Sequence, residues 1–184
     1  MDFCECKKLI RADYSRLPQK RLGYLIYLIT NASFKVTFWF RVATWLKGKG
    51  VFYIIPYFLV AVLYKHYQYL TGIQLPIGSQ VGGGISFPHY GSVVIHSNAV
   101  IGHNCTIYQG VTIGGIRGKG VPSIGDNVVI FSSSQVIGNV KLGNNVVVGA
   151  GSVVVKDAPN NCVIAGVPAK VISNKGEEVV SLYL

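Results

Sequence analysis

The sequence predicts a mainly β protein, a parallel β-helix preceded by α-helices, and two observations lead to this prediction. The first is a six-residue repeat that runs from Ile77 to about Asp157. This period differs from the 3.6 residues of a helical turn and from strict alternation along a strand, and it is typical of a parallel β-helix. The second is that the first place of the repeat is aliphatic in two phased series, except at Gly83 and His89. These places are Ile77, Gly83, His89, Ile95, Ile101, Ile107 and Ile113, and then Ile124, Ile130, Val136, Leu142, Val148 and Val154.

Three hexapeptides close one triangular coil, so the repeat has room for about four coils stacked roughly 4.8 Å apart. We expect the aliphatic first place to point inward and the small or apolar fourth place to lie near a corner. Glycine and asparagine at the turns can adopt backbone angles that bulky residues avoid. The asparagines expected at turns are Asn104, Asn127, Asn139, Asn144 and Asn145.

The charge of the chain is spread unevenly along its 184 residues, whose formal net charge is +10. Residues 1–75 hold eleven Lys or Arg against three acids, whereas residues 76–184 hold six against four. A basic, aromatic first third beside a nearly neutral repeat indicates two parts with different roles. We therefore expect a helical segment at 1–72, a β-helix domain at 73–173 and a loose C-terminal tail at 174–184.

The N-terminal segment is expected to contain helices near 7–16, 21–47 and 51–70. It can cap the end of the β-helix, as such folds require, or contact an anionic membrane surface. Aromatic residues interleaved with Lys and Arg suit the headgroup region of a membrane. No uncharged run reaches the roughly 20 residues that a bilayer span needs, and no nucleic-acid-binding motif accompanies the basic residues.

The remaining composition indicates a reducing compartment. The four cysteines form neither a disulfide framework nor a zinc-binding pattern, and Met1 to Leu9 is polar rather than signal-peptide-like. We expect a cytoplasmic protein, peripheral at the inner face of the cytoplasmic membrane.

Three histidines in the repeat, His89, His96 and His103, are spaced by seven residues. The repeat is six residues long, so a step of seven places each histidine on the next face and one position further along its hexapeptide. The three side chains should therefore not stack, and we expect no metal site. His89 takes a nominally inward place. It is either a buried, hydrogen-bonded histidine or a general base whose near-neutral pKa suits removal of a hydroxyl proton.

The repeat is interrupted between Ile113 and Ile124, where the chain carries five residues beyond the repeat together with Arg117 and Lys119. Such a segment can be a tolerated insertion at a coil corner. Because flanking glycines and two cations coincide here, we expect a flexible arm that closes over a ligand carrying phosphate or acidic groups.

Four motifs within residues 72–173 occur together: FPHYG at Phe87–Gly91, NCTIYQGVTIGG at Asn104–Gly115, GAGSVV at Gly149–Val154 and AGVPAK at Ala165–Lys170. In combination they resemble the hexapeptide-repeat acyltransferases, and most of all the serine acetyltransferase branch. The resemblance implies a left-handed β-helix and a homotrimer that binds acetyl-CoA, without a metal, in the groove between neighbouring subunits.

The resemblance also implies roles for individual residues. His89 matches the catalytic histidine of the family. Apart from the resemblance, Tyr90 beside it and the cations Arg117 and Lys119 of the insertion are expected acceptor contacts. The residues expected to bind acetyl-CoA are Gly114 and Gly115 at the thioester, Ser132 and Ser133 along the pantetheine arm, and Ala150, Gly151, Gly166 and Lys170 at the remainder, with Lys170 near the phosphates.

The chain departs from the serine enzymes of this branch at three positions. Gln74 and Pro88 stand where those enzymes have Asp, and Val121 stands where they have a second histidine. No Asp or Glu occurs between Asp13 and Asp126, and the short N-terminal segment replaces a large helical domain. These departures favour an O-acetyltransferase acting on a sugar or lipid-linked saccharide of capsule, exopolysaccharide or lipopolysaccharide. The alternatives are a serine O-acetyltransferase of cysteine biosynthesis and a non-catalytic β-helix scaffold.

Overall fold

The computed structural model describes residues 1–18 and 23–184. The chain begins with helices α1 (Phe3–Ser15), α2 (Gly23–Thr30), α3 (Ala32–Leu46) and α4 (Ile54–Thr71), and a short 3-10 turn at Val51–Tyr53 precedes α4. Fourteen short strands follow, and a last helix, α5, spans Gly176–Val180. The strands are β1 (Ile73–Gln74), β2 (Gln80–Val81), β3 (Val93–Ile95), β4 (Val100–Ile101), β5 (Thr106–Ile107), β6 (Thr112–Gly114), β7 (Ser123–Ile124), β8 (Val129–Ile130), β9 (Gln135–Ile137), β10 (Lys141–Leu142), β11 (Val147–Val148), β12 (Val153–Val154), β13 (Val163–Gly166) and β14 (Ala169–Ser173).

The helix expected over 21–47 is two helices, and its first two positions lie outside the described residues. Asn31 separates α2 from α3: its backbone is extended, and its side chain accepts a hydrogen bond from the Phe34 backbone N–H at 2.8 Å. This is the geometry of a helix N-cap, so a new helix begins here. Gly72 ends α4 with a left-handed φ of +69°, and the first strand follows at once.

The strands form three flat faces of a triangular prism. Face A contains β1, β3, β6, β9 and β12, face B contains β2, β4, β7 and β10, and face C contains β5, β8, β11, β13 and β14. All strand pairs are parallel except β13 with β14. The fold is the expected left-handed parallel β-helix. It has about five turns rather than four, because the first coil begins at Ile73 and the last continues to Gly166.

The aliphatic first places from Ile95 to Val154 are all buried, which confirms the six-residue phase over that range. The predicted phase of the six-residue repeat is wrong before Ile95. There Leu75, Val81 and Phe87 occupy the inward places, whereas Ile77 is half-buried and His89 is exposed. Two extra residues between Phe87 and Ile95 shift the register, and they form an external turn that carries His89.

Asparagines line the turns between face B and face C. Asn104, Asn127, Asn145 and Asn161 all have φ between +55° and +59°, and their side-chain amides hydrogen-bond from coil to coil at 2.7–3.2 Å. The turn role is therefore confirmed for Asn104, Asn127 and Asn145. Left-handed φ is not found at Asn139 or Asn144.

Helix α3 lies across the open end of the prism, and a buried ion pair joins it to α1 and to the first coil. Arg41 Nε lies 2.9 Å from Asp13 Oδ2, and the Arg41 guanidinium donates to the Val81 and Gly82 carbonyls at 2.6 and 2.7 Å. Asp13 Oδ1 accepts from the Gly84 and Ile85 backbone N–H groups at 2.8 and 3.1 Å.

These bonds pair backbone groups at the first coil that have no further coil above them. Burial raises the pKa of Asp13, and Arg41 together with the two N–H groups opposes that rise.

The segment after β14 is not the loose tail expected from the sequence. Val180 of α5 is buried against Val129 and Val147 on face C. Arg16, at the end of α1, donates to the backbone carbonyl of Tyr183 at 2.7 Å, so the N-terminal helix also holds the C-terminal segment.

The buried ion pair leads to a prediction about stability. Replacing Asp13 by Asn keeps the side-chain shape but leaves the Arg41 charge buried without a counter-charge. We expect the free energy of unfolding to fall by about 3–5 kcal/mol, measured by urea denaturation. The control is Glu178→Gln, which breaks the exposed Lys175–Glu178 pair and should change stability by less than about 1 kcal/mol. Equal effects of the two substitutions would contradict a capping role for Asp13.

Candidate active site

The three edges of the prism carry different side chains. The turns from face C to face A form what we call the histidine edge (residues 88–92, 108–110, 131–133 and 149–151). The turns from face A to face B form the loop edge (96–98, 114–122, 137–139 and 155–157), and those from face B to face C form the asparagine edge. His89, His96 and His103 lie on the histidine, loop and asparagine edges respectively. The spacing of seven therefore separates the three histidines, as predicted.

The histidine edge is a column of stacked turns. The Gly110 N–H donates to the Gly91 carbonyl at 3.0 Å, the Ser133 N–H to the Gln109 carbonyl at 2.9 Å, and the Gly151 N–H to the Ser132 carbonyl at 2.9 Å. These bonds hold successive coils in register at the edge. They bring together, along one line, the predicted site residues His89, Tyr90, Ser132, Ser133, Ala150 and Gly151.

The imidazole of His89 is exposed and lies against an aromatic row. Its ring centroid is 5.9 Å from that of Tyr108, Tyr108 is stacked on Phe131 at 5.1 Å, and Phe131 meets the edge of Tyr183 at 5.3 Å. Burial raises the pKa of Tyr108, so its phenol stays neutral near pH 7. Among the described residues no group hydrogen-bonds to the His89 ring, which leaves both ring nitrogens available to a substrate or to a second subunit.

The insertion on the loop edge forms a short hairpin. The Ile116 N–H donates to the Gly120 carbonyl at 3.1 Å, and the Lys119 N–H donates to the Ile116 carbonyl at 2.9 Å. The hairpin and the adjoining coils enclose an open cleft of about 450 Å³. Its lining residues are His96, Gly115, Ile116, Arg117, Gly118, Gly120 and Val121.

Gly115 is confined by the base of this hairpin. A Cβ atom on Gly115 would lie 2.8 Å from Val121 Cγ1 and 3.1 Å from the Gly120 carbonyl oxygen. Any side chain here would push the hairpin away from the prism. Glycine therefore lets the base of the hairpin pack closely against the prism.

One subunit does not unite all the predicted site residues. Gly114, Gly115, Arg117 and Lys119 lie on the loop edge, whereas His89 lies on the histidine edge, at the other side of face A. The last two predicted residues, Gly166 and Lys170, lie on the exposed β13–β14 hairpin of the final coil. The predicted site residues of a single chain thus fall into two groups on different edges.

The buried cysteines lie outside both groups of predicted site residues. Burial raises the pKa of Cys105 to about 12, and burial also raises the pKa of Cys6 and of Cys162, so these thiols are unreactive near pH 7. Within residues 1–18 and 23–184, no cluster of three or more His, Cys, Asp or Glu is placed to hold a metal ion. Both Gln74 and Pro88 are exposed, and neither supplies a carboxylate to His89.

The sequence predicts neither the aromatic row nor the place of His96 at the cleft. Tyr108 and Phe131 are 23 residues apart, which is three hexapeptides plus the five-residue insertion, and the pairing of β5 with β8 places them side by side. Subtracting the insertion from the spacing would have revealed this pair. The position of Tyr183 carried no signal in the sequence, because it depends on how α5 packs.

Known proteins share both the repeat and the fold. Residues 122–156 match the family described as bacterial transferase hexapeptide (six repeats). A serine acetyltransferase of Synechococcus elongatus is 38% identical over 172 residues, which cover 92% of this chain and 68% of that protein. A serine acetyltransferase of Staphylococcus aureus (strain Mu50) is 41% identical over 115 residues, or 61% of this chain and 54% of that protein.

Solved structures similar to this chain are also serine acetyltransferases. A Neisseria gonorrhoeae serine acetyltransferase in complex with serine superimposes with a TM-score of 0.77 at 30% identity, covering 93% of this chain and 70% of that one. The soybean serine acetyltransferase apoenzyme has a TM-score of 0.77, also at 30% identity, and covers 91% of this chain and 69% of that one.

The repeat, the prism and these matches define a hexapeptide-repeat transferase. Within that class, the chain belongs to the serine acetyltransferase family. The expectation of an enzyme that acetylates sugars of surface polysaccharides is therefore wrong, because the similar proteins and structures are serine acetyltransferases. The chain spans between about half and two thirds of the length of the curated relatives it matches.

Proposed function

We propose that this protein transfers the acetyl group of acetyl-CoA to the side-chain hydroxyl of free serine, the reaction expected of a serine O-acetyltransferase in cysteine biosynthesis. The observation that carries this proposal is the 38% identity to a serine acetyltransferase across 92% of the chain. An exposed histidine beside a column of turns is consistent with it, since both a hydroxyl group and a thioester can reach that ring.

His89 acts as the general base in this proposal. Its neutral ring takes the proton of the serine hydroxyl while the oxygen attacks the thioester carbonyl carbon. The new carbon–oxygen bond forms, the carbon–sulfur bond then breaks, and the CoA thiolate takes the proton back from the His89 ring. No net proton is gained or lost, so the histidine returns to its neutral form after each turnover.

The loop edge supplies stabilisation of the oxyanion in the same scheme. We infer that the backbone N–H of Gly115, a residue that lines the cleft, donates to the carbonyl oxygen as it becomes negative. Such a donor contributes about 3 kcal/mol to the stability of a transition state. Gly115 allows the approach because a side chain there would meet Val121 and Gly120.

The complete site requires a second subunit, because His89 and Gly115 lie on different edges of one chain. In a cyclic trimer, the histidine edge of each subunit faces the loop edge of the next, so three identical sites form at three interfaces. Acetyl-CoA would then lie along the interface, with Ser132 and Ser133 beside the pantetheine arm. Ala150, Gly151 and Gly166 would border the rest of the cofactor, and Lys170 would pair with its phosphates.

Orientation of His89 also depends on groups other than carboxylates. Pro88 precedes it and Gln74 lies on the first strand, so its own chain offers no acidic partner. The Tyr108 ring restricts its movement on one side. We infer that Tyr90 and the hairpin cations Arg117 and Lys119 of the facing subunit contact the acceptor from the other side.

We propose in addition that the helical end of the protein contacts an anionic membrane surface. The start of α4 and the turn before it expose a continuous set of large apolar side chains, although α3 and α4 are packed together. Among them Phe52 is 91%, Ile55 72%, Phe58 64% and Leu59 63% exposed. An exposed apolar set of this size commonly marks an interaction surface.

Charge favours a lipid partner for this surface. Lys47 and Lys49 precede the exposed set and Lys65 follows it, and no acidic residue occurs between Asp13 and Asp126. Apolar side chains bracketed only by cations suit the interface of an anionic bilayer. In the described part of the chain, no helix has both the length and the apolar character that crossing a membrane requires.

The first prediction concerns the base. His89→Ala should lower kcat for acetyl transfer to serine by at least about 10²-fold, because the hydroxyl proton loses its acceptor. Release of CoA thiol, followed with a thiol reagent, measures this. The matched control is His103→Ala, which removes an exposed histidine from the asparagine edge and should leave kcat nearly unchanged. If both variants kept wild-type turnover, the role of His89 would be excluded.

The second prediction concerns the shared site. His89→Ala inactivates the histidine edge, and Gly115→Ala should inactivate the loop edge by displacing the hairpin. Random mixing of the two chains by co-expression pairs two intact edges at about one interface in four, so about a quarter of wild-type activity should return. Each variant alone serves as the control, with its assembly checked by light scattering. Mixed trimers as inactive as the separate variants would contradict a site formed between subunits.

The third prediction concerns the membrane surface. The double variant Phe52→Ser/Phe58→Ser should bind phosphatidylglycerol-containing vesicles at least about tenfold more weakly than the wild type in co-sedimentation. Val171→Ser/Ile172→Ser, which changes two exposed apolar residues of β14, is the matched control. Binding by the wild type should weaken with salt and with neutral phosphatidylcholine vesicles. A wild type that ignores both vesicles but loses a higher oligomer on Phe52→Ser/Phe58→Ser would show that a second copy covers this surface instead.

A further inference from the structure

His96 is held rigidly at the cleft of the loop edge. Its backbone N–H donates to the Ile113 carbonyl at 2.8 Å, and its carbonyl accepts from the Ala99 N–H at 3.0 Å. These bonds fix the turn that carries the half-buried imidazole. The ring lines the same cleft as the hairpin formed by the insertion.

A backbone bond sets the tautomer of this imidazole. The Asn98 backbone N–H donates to His96 Nδ1 at 3.1 Å. A backbone N–H can only donate, so Nδ1 must present a lone pair, and the neutral ring carries its proton on Nε2. His96 is thus prepared to donate one hydrogen bond.

The donating side of the ring lies next to Gly115. A Cβ atom built on Gly115 would be 3.5 Å from His96 Cδ2, the carbon bonded to Nε2. No side chain separates the ring from this corner of the coil, because residue 115 is glycine. The Nε2–H group therefore lies beside the backbone to which the proposed mechanism assigns the oxyanion.

The charge around the cleft selects the kind of ligand. Arg117 lines the cleft, and none of the acidic residues does. Asp126 is engaged with His103 on another edge, and Asp157 accepts from the Lys141 backbone N–H. A cation and an N–H donor without a carboxylate form a site for an anionic oxygen group.

From this arrangement we propose that His96 binds the carboxylate of the acceptor amino acid. Its Nε2–H donates to one carboxylate oxygen, and Arg117 pairs with the carboxylate charge. This proposal rests on the proposed function, and it names the group that selects an amino acid over an uncharged alcohol. It makes His96 a specificity-determining residue of the loop edge, while the neighbouring subunit's histidine edge supplies the base.

Steady-state kinetics provides the test. His96→Ala should raise KM for L-serine by at least tenfold and change KM for acetyl-CoA by less than twofold, because only the acceptor loses a partner. His96→Gln retains an N–H donor and should recover part of the loss. The matched control is His103→Ala, which should leave both KM values unchanged. With serinamide, whose carboxylate is replaced by an amide, wild type and His96→Ala should differ by less than twofold.

Binding separates failure of this proposal from failure of the proposed function. The imidazole signals of histidine-labelled protein are followed by NMR during titration with L-serine and with serinamide, and His96→Ala identifies the His96 signal. A shift at His96 with serine but not with serinamide supports the carboxylate site even in protein that transfers no acetyl group. Serine turnover with KM unaffected by His96→Ala would overturn this proposal alone. Absence of both turnover and any His96 shift would overturn this proposal and the proposed function together.

Discussion

Every coil of this protein must offer its backbone hydrogen bonds to the next coil in register. The Thr106 N–H donates to the Val128 carbonyl and the Val129 N–H to the Val146 carbonyl, so the ladder continues from coil to coil along face C. A buried N–H or carbonyl without a partner would cost about as much as a lost hydrogen bond. Extra residues therefore cannot be accommodated within a face, and they must leave the prism at an edge.

Extra residues leave the prism at two places, and each of these two insertions forms part of the candidate site. The two extra residues between Phe87 and Ile95 create the turn that exposes His89. The five extra residues after Ile113 form the hairpin whose cleft contains His96 and Arg117. The ladder continues on both sides of each departure, so the exposed groups are supported by rigid strands. His89 and the two hairpin cations of the candidate site therefore lie where the repeat is broken.

The first coil has backbone N–H and carbonyl groups on its outer side that no neighbouring coil can hydrogen-bond. The paired side chains Asp13 and Arg41 hydrogen-bond to four backbone groups of residues 81–85. This buried pair also fixes α1 and α3 across the end of the prism. Helix α4 packs beside them through Tyr64, which is buried in the core and donates to the Leu75 carbonyl at 2.6 Å. The exposed apolar side chains at the start of α4 precede this buried part of the helix.

The sequence by itself determined the parallel β-helix, its phase from Ile95 onward, the separation of the three histidines and the family. These features follow from a short repeat, in which each residue's place depends on neighbours six positions away. The polysaccharide substrate was inferred from Gln74, Pro88 and Val121, from the lack of acidic residues between Asp13 and Asp126, and from the short N-terminal segment. The relatives overturned it, because these departures weigh less than 38% identity over 92% of the chain.

Tertiary structure decided the number of turns, the outward position of His89, the aromatic row that ends at Tyr183, and the division of the site between two edges. Of these, spacing could have revealed only the Tyr108–Phe131 pair of the aromatic row. A two-residue slip moves the inward place to another position of the hexapeptide, and contacts between segments far apart in the chain form only when the prism closes.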